Sequence, residues 1–74
     1  MNIVNDSVDL GRLIRTERKR QHLTQEQLAA LAGVGVRFVR ELEGGKESCR
    51  VGLAFMVMQT LGLSVSVAGR GANG

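Results

Sequence analysis

The 74-residue sequence contains no proline, tryptophan or tyrosine, and it has only two phenylalanines and one cysteine. Leucine, valine, isoleucine and methionine must therefore fill the core. A single cysteine, Cys49, excludes a disulfide within the chain and suits a reducing cytosol. A reactive thiol is one interpretation of Cys49, but we favour a small residue that fills space at the edge of the core.

Long apolar segments are also missing from the sequence. The longest unbroken run, Leu53 to Met58, is far shorter than the roughly 20 residues that cross a bilayer. The N-terminal sequence has neither the basic start nor the apolar centre of a signal peptide. We therefore expect a cytoplasmic protein with no membrane partner.

The sequence also lacks the groups of residues that carry catalysis. His22 is the one histidine, no cysteine or carboxylate cluster near it has metal-ligand spacing, and we expect it at a helix end. A glycine-rich phosphate loop, a Ser/His/Asp set and a paired-carboxylate cleft are all absent. We predict that the protein is not an enzyme and has no catalytic residue, metal or cofactor.

The size and charge of the chain limit its architecture and its partners. A chain of 74 residues makes one domain that buries only about 60% of its unfolded surface, so a partner subunit would help to stabilise it. We expect this domain over residues 1–68 and a flexible tail over residues 69–74. The net charge of +3 fits a polyanionic partner.

Residues 23–46 have the pattern of two short helices joined by a tight turn. Thr24 and Gln27 are spaced as in a capping box, which predicts that a helix begins directly after Thr24. Gly33 breaks the helical pattern, because glycine readily adopts the left-handed conformation that ends a helix. A second helix is predicted from Val36 to Glu43, where two glycines follow.

The apolar spacing predicts which side chains these two helices bury. In the first helix, Leu28, Leu31 and Ala32 fall on one face, and small residues beside them leave room for another helix. In the second helix, we predict that Val39 and Leu42 face inward. Phe38 is expected to pack at the edge of the core.

This layout resembles the lambda-repressor/Xre group of helix-turn-helix DNA-binding domains, in particular the small HipB-like antitoxin regulators. The resemblance implies a mainly α-helical bundle of four to five helices with a short C-terminal β-strand. A generic helical hairpin would explain the apolar spacing but not the joint placement of the matching residues. These are Gln25, Ala29, Gly33, Val34, Val39, Leu42 and the ending Glu43-Gly44-Gly45-Lys46.

Two further helices are predicted on either side of this motif. The first is capped by Asp6 or Ser7, extends to about His22 and carries an apolar stripe that includes Ile14. The second, Val51 to Leu61, is apolar on almost every side, and a small domain cannot bury such a helix alone. We expect part of it to contact a second subunit, although a compact core with a few exposed methionines would also account for the pattern.

The C-terminal region predicts a strand and a dimer. Leu63, Val65 and Val67 alternate with serines, which is the pattern of a short strand. The chain offers only a weak strand partner at Ile3–Val4, so we predict that the strand pairs with its copy across a homodimer. HipB-like proteins are similar in this respect. The predicted interface comprises Phe55, Met56, Met58, Leu63, Val65 and Val67.

The resemblance implies that the second helix of the motif enters the major groove of a palindromic operator in double-stranded DNA. Arginine can donate two hydrogen bonds to guanine, and phosphate contacts position a protein without reading sequence. The predicted base contacts are Val36, Arg37, Arg40 and Glu41. The predicted DNA-backbone contacts are Thr24, Gln25, Gly35, Lys46, Arg18 and Lys19.

The resemblance to HipB-like proteins also implies a biological role. Such a protein represses its own operon and binds a HipA-type kinase toxin, which would make that toxin a further partner. A stand-alone phage-type or housekeeping repressor shares the same motif. The sequence is also compatible with a protein-interaction module that mainly neutralises a toxin, and with a helical adaptor that does not touch DNA.

Overall fold

The structure is a computed structural model, and it describes residues 3–70. Within this range the chain forms four α-helices: α1 (Ser7–Arg20), α2 (Gln25–Ala32), α3 (Val36–Glu43) and α4 (Val51–Thr60). No residue of the described range is in a β-strand. The prediction of a mainly α-helical helix-turn-helix bundle is confirmed, and none of these helices is long and apolar enough to span a membrane.

The helices begin and end where the sequence places capping residues. Asp6 caps α1 by accepting a hydrogen bond from the Asp9 amide at 2.8 Å. The Thr24 hydroxyl accepts from the Gln27 amide at 3.0 Å, and the Gln27 side chain accepts from the Thr24 amide at 2.8 Å. Gly33 ends α2 with a left-handed backbone (φ 74°). The predicted capping box and turn are therefore confirmed.

The end of α1 is joined to the end of α4. His22 follows α1 with a positive φ of 59°, and its amide donates to the Lys19 carbonyl at 3.0 Å. The side-chain amide of Gln21 donates to the Leu61 carbonyl at 2.8 Å. His22 therefore ends a helix, as predicted, and Gln21 connects α1 to a helix 40 residues further along the chain.

All four helices contribute to one core. Ile14, Leu28, Val39 and Val57 are fully buried, and each belongs to a different helix. Burying a side chain of this kind contributes roughly 1.5–3 kcal/mol. The remaining buried apolar residues are Ala29, Ala32, Leu42, Ala54, Met58 and Leu61. Because the core includes Val39 and Leu42, the predicted inner face of α3 is confirmed.

Phe38 and Cys49 are partly buried and pack against this core from its edge. The burial of Phe38 agrees with its predicted packing role. The position of Cys49 agrees with a side chain that fills space beside the core.

One predicted inward-facing residue is exposed, and one predicted interface residue is buried in the single chain. Leu31 is 65% exposed, because α2 turns Leu28, Ala29 and Ala32 toward the core instead. Met58, which was predicted at a dimer interface, is only 6% exposed and lies in the core. In a nearly uniformly apolar helix such as α4, spacing alone does not distinguish the inner side from the outer side.

Gly11 allows a close approach between α1 and α3. A Cβ atom at this position would lie 2.7 Å from the Glu43 carbonyl oxygen and would also overlap the Leu42 carbonyl oxygen. Both oxygens belong to the last turn of α3. The backbone of α1 therefore rests directly on the C-terminal end of α3.

The strand predicted at residues 63–67 is not formed in the single chain. Residues 63–69 have no regular secondary structure, and Val67 is 93% exposed. The weak strand candidate Ile3–Val4 is exposed as well. A strand needs a partner for its hydrogen bonds, so pairing with a second copy stays a prediction. Of the predicted tail, residues 71–74 lie outside the described range.

Candidate nucleic-acid interface

The turn between α2 and α3 presents the outer face of α3 to solvent. The left-handed Gly33 reverses the chain, and the Val34 amide donates to the Ala29 carbonyl at 3.0 Å. Because α3 buries Val39 and Leu42, its arginines point outward. The side chain of Arg37 is 88% exposed and that of Arg40 is 55% exposed.

Exposed ion pairs cover this face in the free protein. Glu41 accepts from Lys46 Nζ at 3.2 Å and lies 3.4 Å from Arg37 Nε, while Arg40 Nη2 donates to Glu26 at 3.2 Å. The hydrogen bond from Lys46, followed by the charges of Lys46 and Arg37, lowers the pKa of Glu41. Exposed pairs contribute little to stability, so these pairs do not keep either arginine away from DNA.

Within residues 3–70, no side chain caps the N-terminus of α3. Gly35 precedes the helix with an ordinary backbone conformation and gives it no side-chain cap. An added Cβ at Gly35 would meet no atom within 4 Å. Val36 is half-buried and packs against the core, which leaves only part of its side chain free for a base. Thr24 and Lys19 are exposed, as a contact with the DNA backbone requires.

Arg18 has a different role from the predicted phosphate contact. Its side chain is only 9% exposed and pairs with Glu43, which is 4% exposed, at 2.6 Å (Nε to Oε2) and 3.0 Å (Nη2 to Oε1). Arg18 also donates to the Leu23 carbonyl at 2.8 Å. Because Glu43 accepts these hydrogen bonds, the pKa of the Arg18 guanidinium is raised. Arg18 thus joins α1 to α3 and cannot reach a phosphate.

The same carboxylate holds Gln25 in place. The Gln25 side-chain amide donates to Glu43 Oε1 at 3.1 Å, and Gln25 itself is half-buried at the start of α2. Arg18, Glu43 and Gln25 therefore form one network between three helices. The sequence did not reveal that Glu43 pairs with Arg18 and Gln25, because these partners are 25 and 18 residues away along the chain.

A second surface is apolar. Phe55 and Met56 are each about two-fifths exposed, and Val65 is about half exposed. Phe55, Leu63 and Val65 line a groove of about 370 Å³ between α4 and the C-terminal segment. Apart from Met58, the residues predicted at a subunit interface are therefore at least partly accessible.

Comparison with known protein families shows which family the chain belongs to. The sequence profile of the family described as helix-turn-helix matches residues 14–67. The chain belongs to this family, in its lambda-repressor/Xre-like form, whose members are DNA-binding regulators and not enzymes.

Individual proteins agree with this assignment. The chain is 43% identical over 68 residues to the uncharacterized HTH-type transcriptional regulator y4mF of Sinorhizobium fredii (strain NBRC 101917 / NGR234), covering 92% of this chain and 90% of that protein. It also matches the structure described as a HipA-HipB-O2-O3 complex with a TM-score of 0.85, and a HipB-O4 20mer complex with a TM-score of 0.84. Both structures are 19% identical, and each match covers 93% of this chain and 97% of the other. These two structures therefore show a shared fold.

Proposed function

We propose that this protein is a sequence-specific transcriptional repressor that binds double-stranded operator DNA through α3. The observation that carries the proposal is the outward face of α3, where Arg37 and Arg40 are exposed above the buried Val39 and Leu42. A relative named as a transcriptional regulator and the fold shared with a HipB-O4 20mer complex support it.

In this proposal, the residues of α3 read the bases. Arg37 and Arg40 each donate two hydrogen bonds to O6 and N7 of guanine. The charged carboxylate of Glu41 accepts from a cytosine amino group, and the exposed part of Val36 contacts a thymine methyl group. Gly35 brings the backbone at the start of α3 close to the DNA.

Phosphate contacts come from the elements beside α3. Thr24 and Gln25 lie at the N-terminus of α2, where backbone amides and the helix dipole favour an anion. Lys19 and Lys46 add positive charge on either side of the motif. Such contacts position the protein on the duplex but do not select a sequence.

Two substitutions test this division of roles. Arg40→Ala should weaken binding to the operator by about 1–3 kcal/mol and relax the preference at one base pair. Lys46→Ala should weaken binding to all duplexes alike and lower the slope of the salt dependence by about one. Gel shifts on the promoter of the protein's own gene and on a scrambled duplex, over a range of salt concentrations, measure both effects.

Arg15→Ala is the matched control, because Arg15 is an exposed arginine on α1 with no ion pair among the described residues. It should leave discrimination between the two duplexes unchanged. If Arg40→Ala leaves discrimination equally unchanged, Arg40 does not read a base. If the wild-type protein itself does not distinguish its promoter from the scrambled duplex, the proposed repressor function is wrong.

The repressor would act as a homodimer on a palindromic operator, with its recognition helices about 34 Å apart. The exposed apolar side chains beside the groove at Phe55, Leu63 and Val65 support this assembly. In the dimer, the segment at residues 63–67 would pair with its copy as a strand. Sedimentation equilibrium should give twice the 8.0 kDa chain mass, whereas a monomer at micromolar concentration would contradict the dimer.

For the biological role, we propose the antitoxin of a HipBA-like operon that acts in the cytoplasm. The fold shared with a HipA-HipB-O2-O3 complex favours this role, and it would make a HipA-like kinase toxin a further partner. A stand-alone repressor is the second candidate, favoured by the relative that is named only as a transcriptional regulator. Co-purification with a kinase-like protein encoded beside its gene distinguishes the two, because only the antitoxin should bind it.

A further inference from the structure

An acidic side chain lies within the proposed DNA-binding surface. Glu26, in the first turn of α2, accepts a hydrogen bond at 3.2 Å from Nη2 of Arg40 on α3. The two side chains are 65% and 55% exposed, so their pair lies on the protein surface and not in the core. A pair this exposed contributes little to folding. An acid beside a base-reading arginine therefore calls for a role other than stability.

The fold fixes the backbone positions of Glu26 and Arg40. Gln25, the neighbour of Glu26, is held by the buried carboxylate of Glu43 at 3.1 Å. The capping box at Thr24 fixes the backbone of the same turn. On α3, Arg40 follows the fully buried Val39. The approach of Glu26 to Arg40 thus follows from the packing of α2 against α3.

The pairing leaves Arg40 able to read a base. A guanidinium group has five N–H donors, and Glu26 occupies one of them on Nη2. Guanine requires only two parallel donors. Arg40 can therefore keep its bond to Glu26 while it donates to the edge of a guanine.

We propose that Glu26 is a specificity-determining residue that acts through Arg40. It holds the guanidinium in the orientation that guanine requires, and its negative charge disfavours duplexes in which Arg40 finds no guanine. This inference rests on the proposed function as a DNA-binding repressor and concerns the same surface.

Two physical effects give Glu26 this role. A long side chain that is already held in place loses less conformational freedom when it binds, which favours the correct duplex. A carboxylate near the phosphate backbone repels every duplex, but only the correct one compensates through its bonds to Arg40. Glu26 should therefore lower affinity for DNA in general and raise the ratio between specific and non-specific affinity.

Glu26→Ala tests the proposal, with Glu47→Ala as the matched control. Glu47 is exposed and forms no side-chain hydrogen bond or ion pair within the described range. Its replacement removes one negative charge, as Glu26→Ala does, without removing such a contact. Fluorescence anisotropy should be measured on a duplex from the protein's own promoter and on a scrambled duplex. Glu26→Ala should bind the scrambled duplex more tightly and lower the affinity ratio about threefold to tenfold. Glu47→Ala should leave that ratio unchanged.

The same pair of duplexes shows whether the effect passes through Arg40. In an Arg40→Ala background, Glu26→Ala should not lower the ratio further, because the side chain that it orients is absent. An unchanged ratio for Glu26→Ala alone, or an equal loss in both backgrounds, would overturn the proposal. These results differ from a failure of the proposed function, in which the wild-type ratio is already one. Melting temperatures check that each variant is folded.

Discussion

Replacing Gly11 with alanine is expected to lower the free energy of unfolding by about 2–4 kcal/mol. The added methyl group would overlap the carbonyl oxygens of Leu42 and Glu43, and neither can move without disturbing the last turn of α3. Alanine favours a helix over glycine by about 1 kcal/mol, which offsets only part of the loss. A domain of this size has a total stability of roughly 4–11 kcal/mol. Urea denaturation should therefore show a large fall in the midpoint.

Gly52→Ala is the matched control for this prediction. Gly52 also lies in a helix, as the second residue of α4, but it is exposed and an added Cβ would meet nothing within 4 Å. Because the cost of glycine is smaller in the first turn than in the helix interior, the same substitution should stabilise the protein by up to about 0.5 kcal/mol. Opposite signs at the two glycines would show that close helix packing, and not helix propensity, selects glycine at residue 11. Equal effects would contradict this explanation.

Breaking the pair between Arg18 and Glu43 should have the largest effect of any charge substitution. Arg18→Met would leave the Glu43 carboxylate, which is 4% exposed, without a cation. Removing one partner of a buried ion pair costs about 3–5 kcal/mol, because the other charge stays buried and uncompensated. The melting temperature should fall by roughly 12–40 °C, because each kcal/mol shifts the melting temperature of a domain this small by about 4–8 °C. Calorimetry and circular dichroism measure the loss.

Arg20→Met is the control, because Arg20 lies on the same helix and pairs with Glu17 at the surface, where its side chain is 70% exposed. The loss there should be below about 1 kcal/mol. A similarly small loss for Arg18→Met would mean that the buried pair does not hold α1 to α3. In a folded Arg18→Met population, Gln25 would also lose part of its support through Glu43.

The local signals in the sequence predicted much of this structure. The capping box at Thr24, the left-handed turn at Gly33 and the limits of α3 all depend on residues a few positions apart. The outward direction of Arg37 and Arg40 followed from the inward direction of Val39 and Leu42. Short-range chemistry was therefore enough to locate the candidate DNA-binding face.

The features that the sequence did not reveal depend on distant parts of the chain. The need for glycine at residue 11 arises from carbonyl groups more than 30 residues away, and a glycine inside a helical pattern gives no sign of such a contact. Arg18 stood in a run of basic residues and was predicted to contact the DNA backbone, and only the fold brings Glu43 to it. Met58 lay in a helix without a polar side. The predicted strand needs a partner that a single chain does not supply.

The central claim is that the outer face of α3 selects the DNA sequence, and footprinting tests it most directly. The promoter of the protein's own gene should be probed with wild-type protein and with the double variant Arg37→Ala, Arg40→Ala. Wild-type protein should protect a discrete site with two-fold symmetry. The folded double variant should protect no discrete site at concentrations where the wild type gives full protection. The same discrete footprint with both proteins would contradict the account.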